Sequence, residues 1–320
     1  MKLLDVQQWF AAGGLPFSWR LEQARPALLK PKARPTIPLG SMEVGVVIPD
    51  VHLGWGNDIF RYGANDRNVR LEKFLALLLL LKNKTRLAVV QLGDWYDIWR
   101  TPPGNLAAKK HAIEQQYAAI VQMDRELGIE HCIGNHDAAF YSQPPARSDI
   151  DIAIARQLGG PDIICFHGHD FVTLQNVVVE ANAQAAVLGA VNVFATAVPV
   201  LGQLAAWVQM IADRTRDPHY NEPTSLAWPH APVGLANWDA PWIARDGAVE
   251  IGPVIRSAEH AQANQRVTLA IVGHTHRPGI SWSPVAPNHS VPLVDAGSWT
   301  YGRAEFALVC EDGVGLARFS

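Results

Sequence analysis

The most informative part of the sequence is Val89-Val90-Gln91-Leu92-Gly93-Asp94-Trp95-Tyr96-Asp97-Ile98-Trp99. An apolar run that is typical of a buried strand ends at the Gly93-Asp94 turn, and Asp97 follows three residues later. Ligands of α/β folds bind at the carboxyl ends of strands. Gly-Asp is also ordinary turn chemistry, so this dipeptide alone does not distinguish a turn from a metal ligand. The rest of the chain makes the distinction, because it repeats the pattern.

An apolar run followed by Asp, Asn or His occurs at five places along the chain. Each motif alone is weak, because a lone His is more often a satisfied polar group than a ligand. Five such clusters in order are not expected from turn statistics, and a purely structural interpretation of all of them has a prior of roughly one in fifty or less. The clusters are Asp50-x-His52, Gly93-Asp94-x-x-Asp97, Gly134-Asn135-His136-Asp137, His167-Gly168-His169 and Gly273-His274-x-His276.

These residue types predict a metal site. Imidazole and carboxylate together suit Mn, Fe, Zn or Co, and the absence of cysteine from the motifs argues against a closed structural zinc site. Two metals roughly 4 Å apart need one group that reaches both, and a carboxylate is the natural bridge.

Length and composition exclude several classes of protein. The 320 residues are 48% hydrophobic and 18% charged, which is typical of a globular chain. The net charge of -3 gives no basic surface for nucleic acid. The three cysteines (Cys132, Cys165 and Cys310) are scattered in or beside apolar runs and indicate buried thiols in a reduced, cytosolic protein. The N-terminal residues lack the pattern of a signal peptide.

The order of the predicted elements indicates an α/β fold in which a mixed-sheet sandwich is flanked by helices. Strands are predicted at 44–49, 87–92, 129–133, 162–166 and 267–272, and helices at 68–82, 106–127 and 149–158. Shorter strands at 279–282, 291–295, 304–310 and 314–319 form an antiparallel tail, in which Glu311-Asp312-Gly313 is a hairpin turn.

Two segments stand apart from this pattern. Residues 1–43 are predicted to be a lead-in, packed on the core or partly mobile, before a domain over 44–320. Residues 181–212 contain no charged side chain, but Pro199 divides them into two helices too short to span a bilayer. A single crossing would also separate strands that must meet in one site. We therefore predict an apolar helical insertion at about 175–260, as a lid, an interfacial membrane element or an oligomer contact.

The five motifs resemble those of the calcineurin-like metallophosphoesterase superfamily, from residue 44 to the C terminus apart from the insertion. The resemblance implies an αββα fold and two divalent metal ions, with Mn foremost and Fe, Zn or Co as alternatives. It implies that Asp50, His52, Asp94 and His276 hold one metal, and that Asp94, Asn135, His167 and His274 hold the other. His169, which also flanks Gly168, is the alternative to His167.

The resemblance also implies a mechanism, in which a metal-bridging hydroxide attacks phosphorus in line. His136 stands at the position of the catalytic histidine, where it stabilises developing charge and protonates the leaving oxygen. Asp97 resembles the carboxylate that orients this histidine in some relatives, and a carboxylate at a helix N-terminus is an equal alternative. His169 and Asp170 are expected to support the ligands.

Within the superfamily, three motifs look most like the UDP-diacylglucosamine hydrolases of lipid A synthesis and their bacterial cousins. They are Asp50-Val51-His52-Leu53-Gly54, the stretch 93–99 and Ala296-Gly297-Ser298-Trp299. Those enzymes cleave a pyrophosphate and receive acyl chains in a helical insertion. They usually carry Arg where His136 stands, and the insertion and lead-in match them poorly. Ser/Thr protein phosphatases are disfavoured, because Ile98-Trp99 replaces their Arg-Gly pair.

The expected function is hydrolysis of a phosphodiester or pyrophosphate in a small molecule, with nucleotide- and lipid-linked substrates both open. The alternatives are a phosphomonoesterase and a metal-bearing scaffold or membrane-associated binding protein with vestigial catalysis. A DNA nuclease would share the Gly-Asn-His-Asp motif, but the net charge of -3 makes nucleic acid an unfavourable partner. We expect a cytoplasmic protein, and peripheral contact at the inner membrane face through 181–212 is left open. The oligomeric state stays open.

Overall fold

The computed structural model of the chain describes most of its predicted strands and the loops that follow them. The described residues are 1–12, 22–23, 43–54, 64–97, 105–134, 136–137, 163–167, 267–274, 276, 278–286, 289–300, 304–311 and 313–319. The elements are α1 (Leu3–Ala12), β1 (Glu22–Gln23), β2 (Val44–Ile48), α2 (Ala64–Lys82), β3 (Leu87–Gln91), α3 (Leu106–Gln116), α4 (Ala118–Leu127), β4 (Glu130–His131), β5 (Ile163–Phe166), β6 (Leu269–Val272), β7 (Gly279–Ala286), β8 (His289–Asp295), β9 (Glu305–Cys310) and β10 (Gly313–Arg318).

The described strands form two mixed sheets. The larger sheet has the order β1-β10-β9-β2-β3-β4 and the smaller one the order β5-β6-β8-β7. The strands that precede the motifs run parallel in both sheets, so their carboxyl ends lie at one edge. This confirms the predicted mixed α/β fold. The predicted insertion, including 181–212, and the predicted helix at 149–158 lie outside the described residues.

Strand β2 shows how one sheet separates two cores. Its residues Val44, Val46 and Ile48 pack in a cluster with the helices, whereas Val47 packs in a second cluster between the two sheets. Successive side chains of a strand point to opposite faces. Because both faces are covered, the strand reads as a continuous apolar run rather than an alternating one. The sandwich therefore follows from the apolar runs of the sequence.

The strands of the tail pair antiparallel with each other, as predicted. The hairpin of β9 and β10 is antiparallel, with Cys310 opposite Gly313, and β7 pairs antiparallel with β8. However, β8 also pairs in parallel with β6, through Ala270 opposite Leu293 and the two pairs that follow. The sequence did not predict this pairing with β6, because a local apolar pattern does not specify the direction of a distant neighbour.

The predicted helix at 106–127 is divided into α3 and α4 at Tyr117. This residue has φ -115° and ψ 37°, outside the helical region, although its N–H still donates to the carbonyl of Ile113. The break keeps Ile113, Tyr117 and Ile120 in one core cluster. Helix α4 then ends at Gly128, whose φ of 68° is favourable for glycine because it has no Cβ.

Two parts of the N-terminal lead-in are described, and both contact the sandwich. Helix α1 buries Val6 and Phe10, and the ring of Phe10 lies 6.3 Å from that of Phe306. Strand β1 pairs antiparallel with β10 at the sheet edge. Within the described residues, no helix combines the length and apolarity needed to cross a bilayer.

Candidate metal centre

Backbone hydrogen bonds join the loops that follow the central strands. The N–H of His52 donates to the carbonyl of Asp94 over 2.7 Å, and the N–H of Gly273 donates to the carbonyl of His167 over 3.2 Å. The N–H of Trp299 donates to the carbonyl of Asp50 over 2.8 Å. Residues that are far apart in the chain therefore lie in one compact group of loops at the carboxyl edges of both sheets.

Backbone strain is concentrated in this group. Among the described residues, the non-glycine residues with positive φ are His52 (55°), Asp94 (55°), His274 (69°) and His276 (59°). Such a conformation costs about 1–3 kcal/mol at each position and persists where the surrounding structure enforces it. All four residues are ligands predicted from the sequence. Strain of this kind is typical of functional sites.

Glycines allow the loops to approach each other closely. A Cβ on Gly134 would lie 2.1 Å from the backbone N and from Oδ1 of Asp94, and a Cβ on Gly273 would lie 2.5 Å from Oδ2 of Asp50. Both distances are far below ordinary van der Waals contact. Gly134 and Gly273 are therefore required, because a side chain at either position would clash with Asp94 or Asp50, respectively.

The candidate ligands form two groups. In the first, Nε2 of His52 lies 3.2 Å from Nε2 of His276, and Oδ1 of Asp50 lies 3.3 Å from the same atom of His276. In the second, Nε2 of His167 lies 3.2 Å from Nδ1 of His274 and 3.4 Å from Oδ2 of Asp94. The atoms within each group are close enough for one metal ion.

The carboxylate of Asp94 joins the two groups. Its Oδ2 lies 3.4 Å from Nε2 of His52 in the first group and 3.4 Å from Nε2 of His167 in the second. Its other oxygen, Oδ1, accepts a hydrogen bond of 2.7 Å from the N–H of His136. One oxygen is thus committed to the protein, whereas the other faces both groups.

Hydrogen bonds orient the imidazoles for metal binding. Nδ1 of His167 lies 2.9 Å from the carbonyl oxygen of Leu92, so this nitrogen carries a hydrogen and Nε2 faces the second group. Nδ1 of His276 lies 3.4 Å from the hydroxyl of Thr300, which leaves Nε2 toward the first group. The side chains are therefore oriented so that they could hold a metal ion.

The residues present fit divalent cations. Oδ1 of Asp50 is buried, and no hydrogen-bond donor in the described part of the chain is aligned with it. An ionised oxygen in such a position is unfavourable unless a cation compensates it. The other oxygen of Asp50 accepts a hydrogen bond of 2.9 Å from the N–H of His274. The donor set of imidazole nitrogens and carboxylate oxygens suits borderline divalent metals.

The charges of the site are strongly coupled. Burial disfavours ionisation of Asp94, yet His167 and His136 hold the pKa of its carboxyl well below the ordinary value. Burial also disfavours the imidazolium of His167, but Asp94 and Asp50 raise its pKa to about 10. In the metal-free protein, a proton on His167 therefore balances the carboxylates. A divalent cation held by these residues would take over this role, since an imidazole binds a metal in its neutral form.

His136 lies at the edge of the site and Asp97 lies beneath it. Nδ1 of His136 is 3.1 Å from Oδ1 of Asp97, whose carboxylate is fully buried. The other oxygen of Asp97 lies 3.8 Å from Nδ1 of His52, and the rings of His52 and His136 meet edge to face at 4.5 Å. This arrangement turns Nε2 of His136 away from Asp97.

Sequence reasoning assigned no role to Asp137, although it quoted the residue as the end of a motif. Its Oδ1 accepts a 2.9 Å hydrogen bond from the N–H of Gly134, and its Oδ2 accepts another of 2.9 Å from the N–H of Trp95. Burial and the charge of Asp94 raise the pKa of Asp137 to about 7. Asp137 thus connects the loops after β3 and β4. A carboxylate shortly after a Gly turn was the available signal.

The remaining sequence-predicted positions are Asn135, His169 and Asp170, and they lie outside the described residues. The structure brings together the other predicted ligands, which are Asp50, His52, Asp94, His167, His274 and His276. It also brings His136 and Asp97 beside them.

No curated protein sequence gives a significant match to the chain. A solved structure from Streptococcus pneumoniae TIGR4, a conserved uncharacterized protein described as a predicted phosphoesterase, aligns with 12% identity over 84% of this chain and 83% of its own, at a TM-score of 0.28. The family model of the calcineurin-like phosphoesterases matches residues 46–278. Since that match spans well over half of the sequence, the chain belongs to the calcineurin-like phosphoesterase family and is a metal-dependent phosphoester hydrolase.

Proposed function

We propose that the chain is a two-metal phosphoesterase that hydrolyses a phosphodiester or pyrophosphate bond of a small molecule. The proposal rests on one observation, which is that Oδ2 of Asp94 lies 3.4 Å from an imidazole nitrogen of each ligand group. A carboxylate oxygen shared between two groups is what a pair of cations about 4 Å apart requires. Asp94 is therefore the bridging ligand.

Each metal has its own set of ligands in this proposal. Asp50, His52 and His276 complete the first site, and His167, His274 and Asn135 complete the second. The bonds from His167 to Leu92 and from His276 to Thr300 support this assignment, because they leave Nε2 of each imidazole for the metal. When bound, two divalent cations activate water as a nucleophile and neutralise charge on the phosphoryl oxygens.

His136 and Asp97 carry the proton transfer. Asp97 accepts from Nδ1 of His136 and thereby holds the ring so that Nε2 faces the leaving oxygen. His136 lies at the edge of the site, with 14% of its side chain exposed, where it can reach a substrate. Asp97 is fully buried and acts through His136.

The substrate class is the least restricted part of the proposal. We favour a nucleotide- or lipid-linked phosphodiester or pyrophosphate with Mn²⁺ as the metal, on the grounds of the motifs around Asp94 and the uncharged segment 181–212. The catalytic domain would span 44–320, with the insertion at about 175–260 receiving an apolar part of the substrate. A cytoplasmic protein with peripheral membrane contact through 181–212 agrees with such a substrate.

Hydrolysis of bis-p-nitrophenyl phosphate by Mn-loaded protein tests the proposal. We expect turnover in the wild type, and loss of both metals and of turnover in Asp94→Asn, whose side chain has the same shape. His52→Gln should mainly weaken one metal. Asp5→Asn, which changes an exposed carboxylate of α1, is the matched control. Full activity in Asp94→Ala or Asp94→Asn, or preference for p-nitrophenyl phosphate over the diester, would contradict the proposal.

A further inference from the structure

We propose that Gln91 is a positioning residue for the carboxylate of Asp94, and that His131 and Asp124 brace it from the helical side. The inference rests on the proposed function, because it assumes that Asp94 is the bridging ligand. It concerns a buried amide in a strand of otherwise apolar residues. The ligand motifs do not include this residue.

The side chain of Gln91 binds both polar groups of Gly93. Its Oε1 accepts a hydrogen bond of 2.9 Å from the N–H of Gly93, and its Nε2 donates to the carbonyl oxygen of Gly93. That carbonyl belongs to the peptide plane that joins Gly93 to Asp94. Gly93 has φ of 98° and Asp94 has φ of 55°, so the turn has an unusual path. The amide of Gln91 therefore holds the plane from which the side chain of Asp94 projects.

Two further side chains hold the amide of Gln91 itself. Nδ1 of His131 lies 3.3 Å from Oε1 of Gln91, and Nε2 of His131 lies 2.9 Å from Oδ1 of Asp124 in α4. His131 is the partner of Gln91 in the pairing of β3 with β4. Its ring also meets that of Trp95 at 5.2 Å. A continuous chain of polar contacts thus runs from α4 to the Asp94 turn.

The chemistry of the position argues for a specific role. Gln91 is fully buried although its side chain is polar. Its chain neighbours Val89, Val90 and Leu92 are also buried, and all three are apolar. A buried amide is unfavourable unless its hydrogen bonds are satisfied, so an apolar residue would pack here at lower cost. What glutamine adds is the pair of bonds to Gly93. Together with the bond from His136 N–H to Oδ1 of Asp94, these bonds leave Oδ2 facing both ligand groups.

Gln91→Leu tests the inference, because it keeps the approximate volume and removes both bonds to Gly93. Loss of an outer partner of a metal ligand typically lowers metal affinity or activity about 10- to 100-fold. We expect a loss of this size in Mn²⁺ affinity. The electron paramagnetic resonance signal of the coupled Mn pair should be lost at stoichiometric Mn²⁺ and return, together with kcat, in excess Mn²⁺. Gln122→Leu is the matched control, since Gln122 is an exposed glutamine that contacts Glu126 within α4.

His131→Ala provides a second variant. His131 is only half-buried, so its loss leaves the core intact. We expect a smaller decrease in Mn²⁺ affinity of the same sign, and this variant carries the test if Gln91→Leu does not fold. Wild-type Mn²⁺ affinity in both variants, or a lower Tm with unchanged affinity, would overturn the inference. A wild type without a coupled Mn pair would instead contradict the proposed function.

Discussion

Gly134→Ala is the sharpest perturbation that the structure offers, because it adds one methyl group next to Asp94. The new Cβ would lie 2.1 Å from the backbone N and from Oδ1 of Asp94. Ordinary contacts begin near 3.4 Å, so the Asp94 turn must retreat by about 1 Å. The nearest atoms belong to the backbone and to a buried carboxylate, and neither can move independently of the loop.

A displacement of this size has a predictable cost. A misplacement of about 1 Å in a catalytic arrangement lowers activity on the order of 100-fold, which corresponds to about 2.7 kcal/mol of transition-state stabilisation. Overpacking adds about 1–3 kcal/mol of destabilisation. Because Asp94 faces both ligand groups, we expect both metals to bind more weakly, not one alone.

The assay combines metal content after gel filtration with kcat/KM on bis-p-nitrophenyl phosphate. Gly128→Ala is the control, because a Cβ added at Gly128 would have no other atom within 4 Å. Its φ of 68° makes alanine unfavourable by about 1–2 kcal/mol. The control should therefore lower Tm while metal content and kcat/KM stay at wild-type values.

Two results would refute the reasoning. The first is a Gly134→Ala protein that keeps both metals and full activity, which would mean that the loop relaxes without moving the carboxylate. The second is an equal loss of activity in Gly128→Ala, which would mean that global stability, not the position of Asp94, decides activity.

Three further predictions follow from the same geometry. His136→Ala should lower kcat about 100- to 10,000-fold for esters with a strongly basic leaving group and much less for p-nitrophenyl esters. Asp97→Asn should lower kcat in the same pattern but to a smaller extent. Equal losses across leaving groups of different pKa would contradict the general-acid role. The pKa of His167 is raised from 6.5 to about 10, so the stability from its proton is fully present below pH 6.5 and is lost as pH rises through 10. Metal binding near pH 7.5 should consequently release about one proton from this residue, measured by titration calorimetry in buffers of different ionisation enthalpy, and His167→Asn should abolish that release. Asp137→Asn should destabilise the metal-free protein by about 1–3 kcal/mol in urea unfolding, because the amide oxygen can accept from only one of the Gly134 and Trp95 N–H groups and leaves the other unpaired. An unchanged urea midpoint would argue against a stabilising role for these two hydrogen bonds.

The strands were largely predictable, whereas their partners were not. The apolar run predicted at 44–49 became Val44–Ile48, and the run predicted at 162–166 became Ile163–Phe166. Such runs show which residues are buried and where a turn interrupts them. They do not specify that β2 pairs with β9, or that β8 lies parallel to β6. Those choices depend on the packing of segments distant in sequence.

The chemistry of the site was predictable for a similar local reason. A carboxylate, an amide or an imidazole directly after a buried strand must lie at a sheet edge, and these are metal-binding groups. Their roles as ligands remain predictions from the motifs. Neither Gln91 nor Asp137 was assigned a role from the sequence, because a single polar residue beside a strand or turn has many ordinary explanations.

The donor groups and their position after apolar runs can be read from the sequence alone, since residue type and local pattern are properties of short segments. The packing of the folded chain makes Oδ2 of Asp94 face both groups, and it brings the N–H of His274 to Asp50 across 224 positions of the chain. The same holds for the imidazole nitrogen that each histidine presents. These distances are set by strand order and loop contacts, which arise when remote segments pack together.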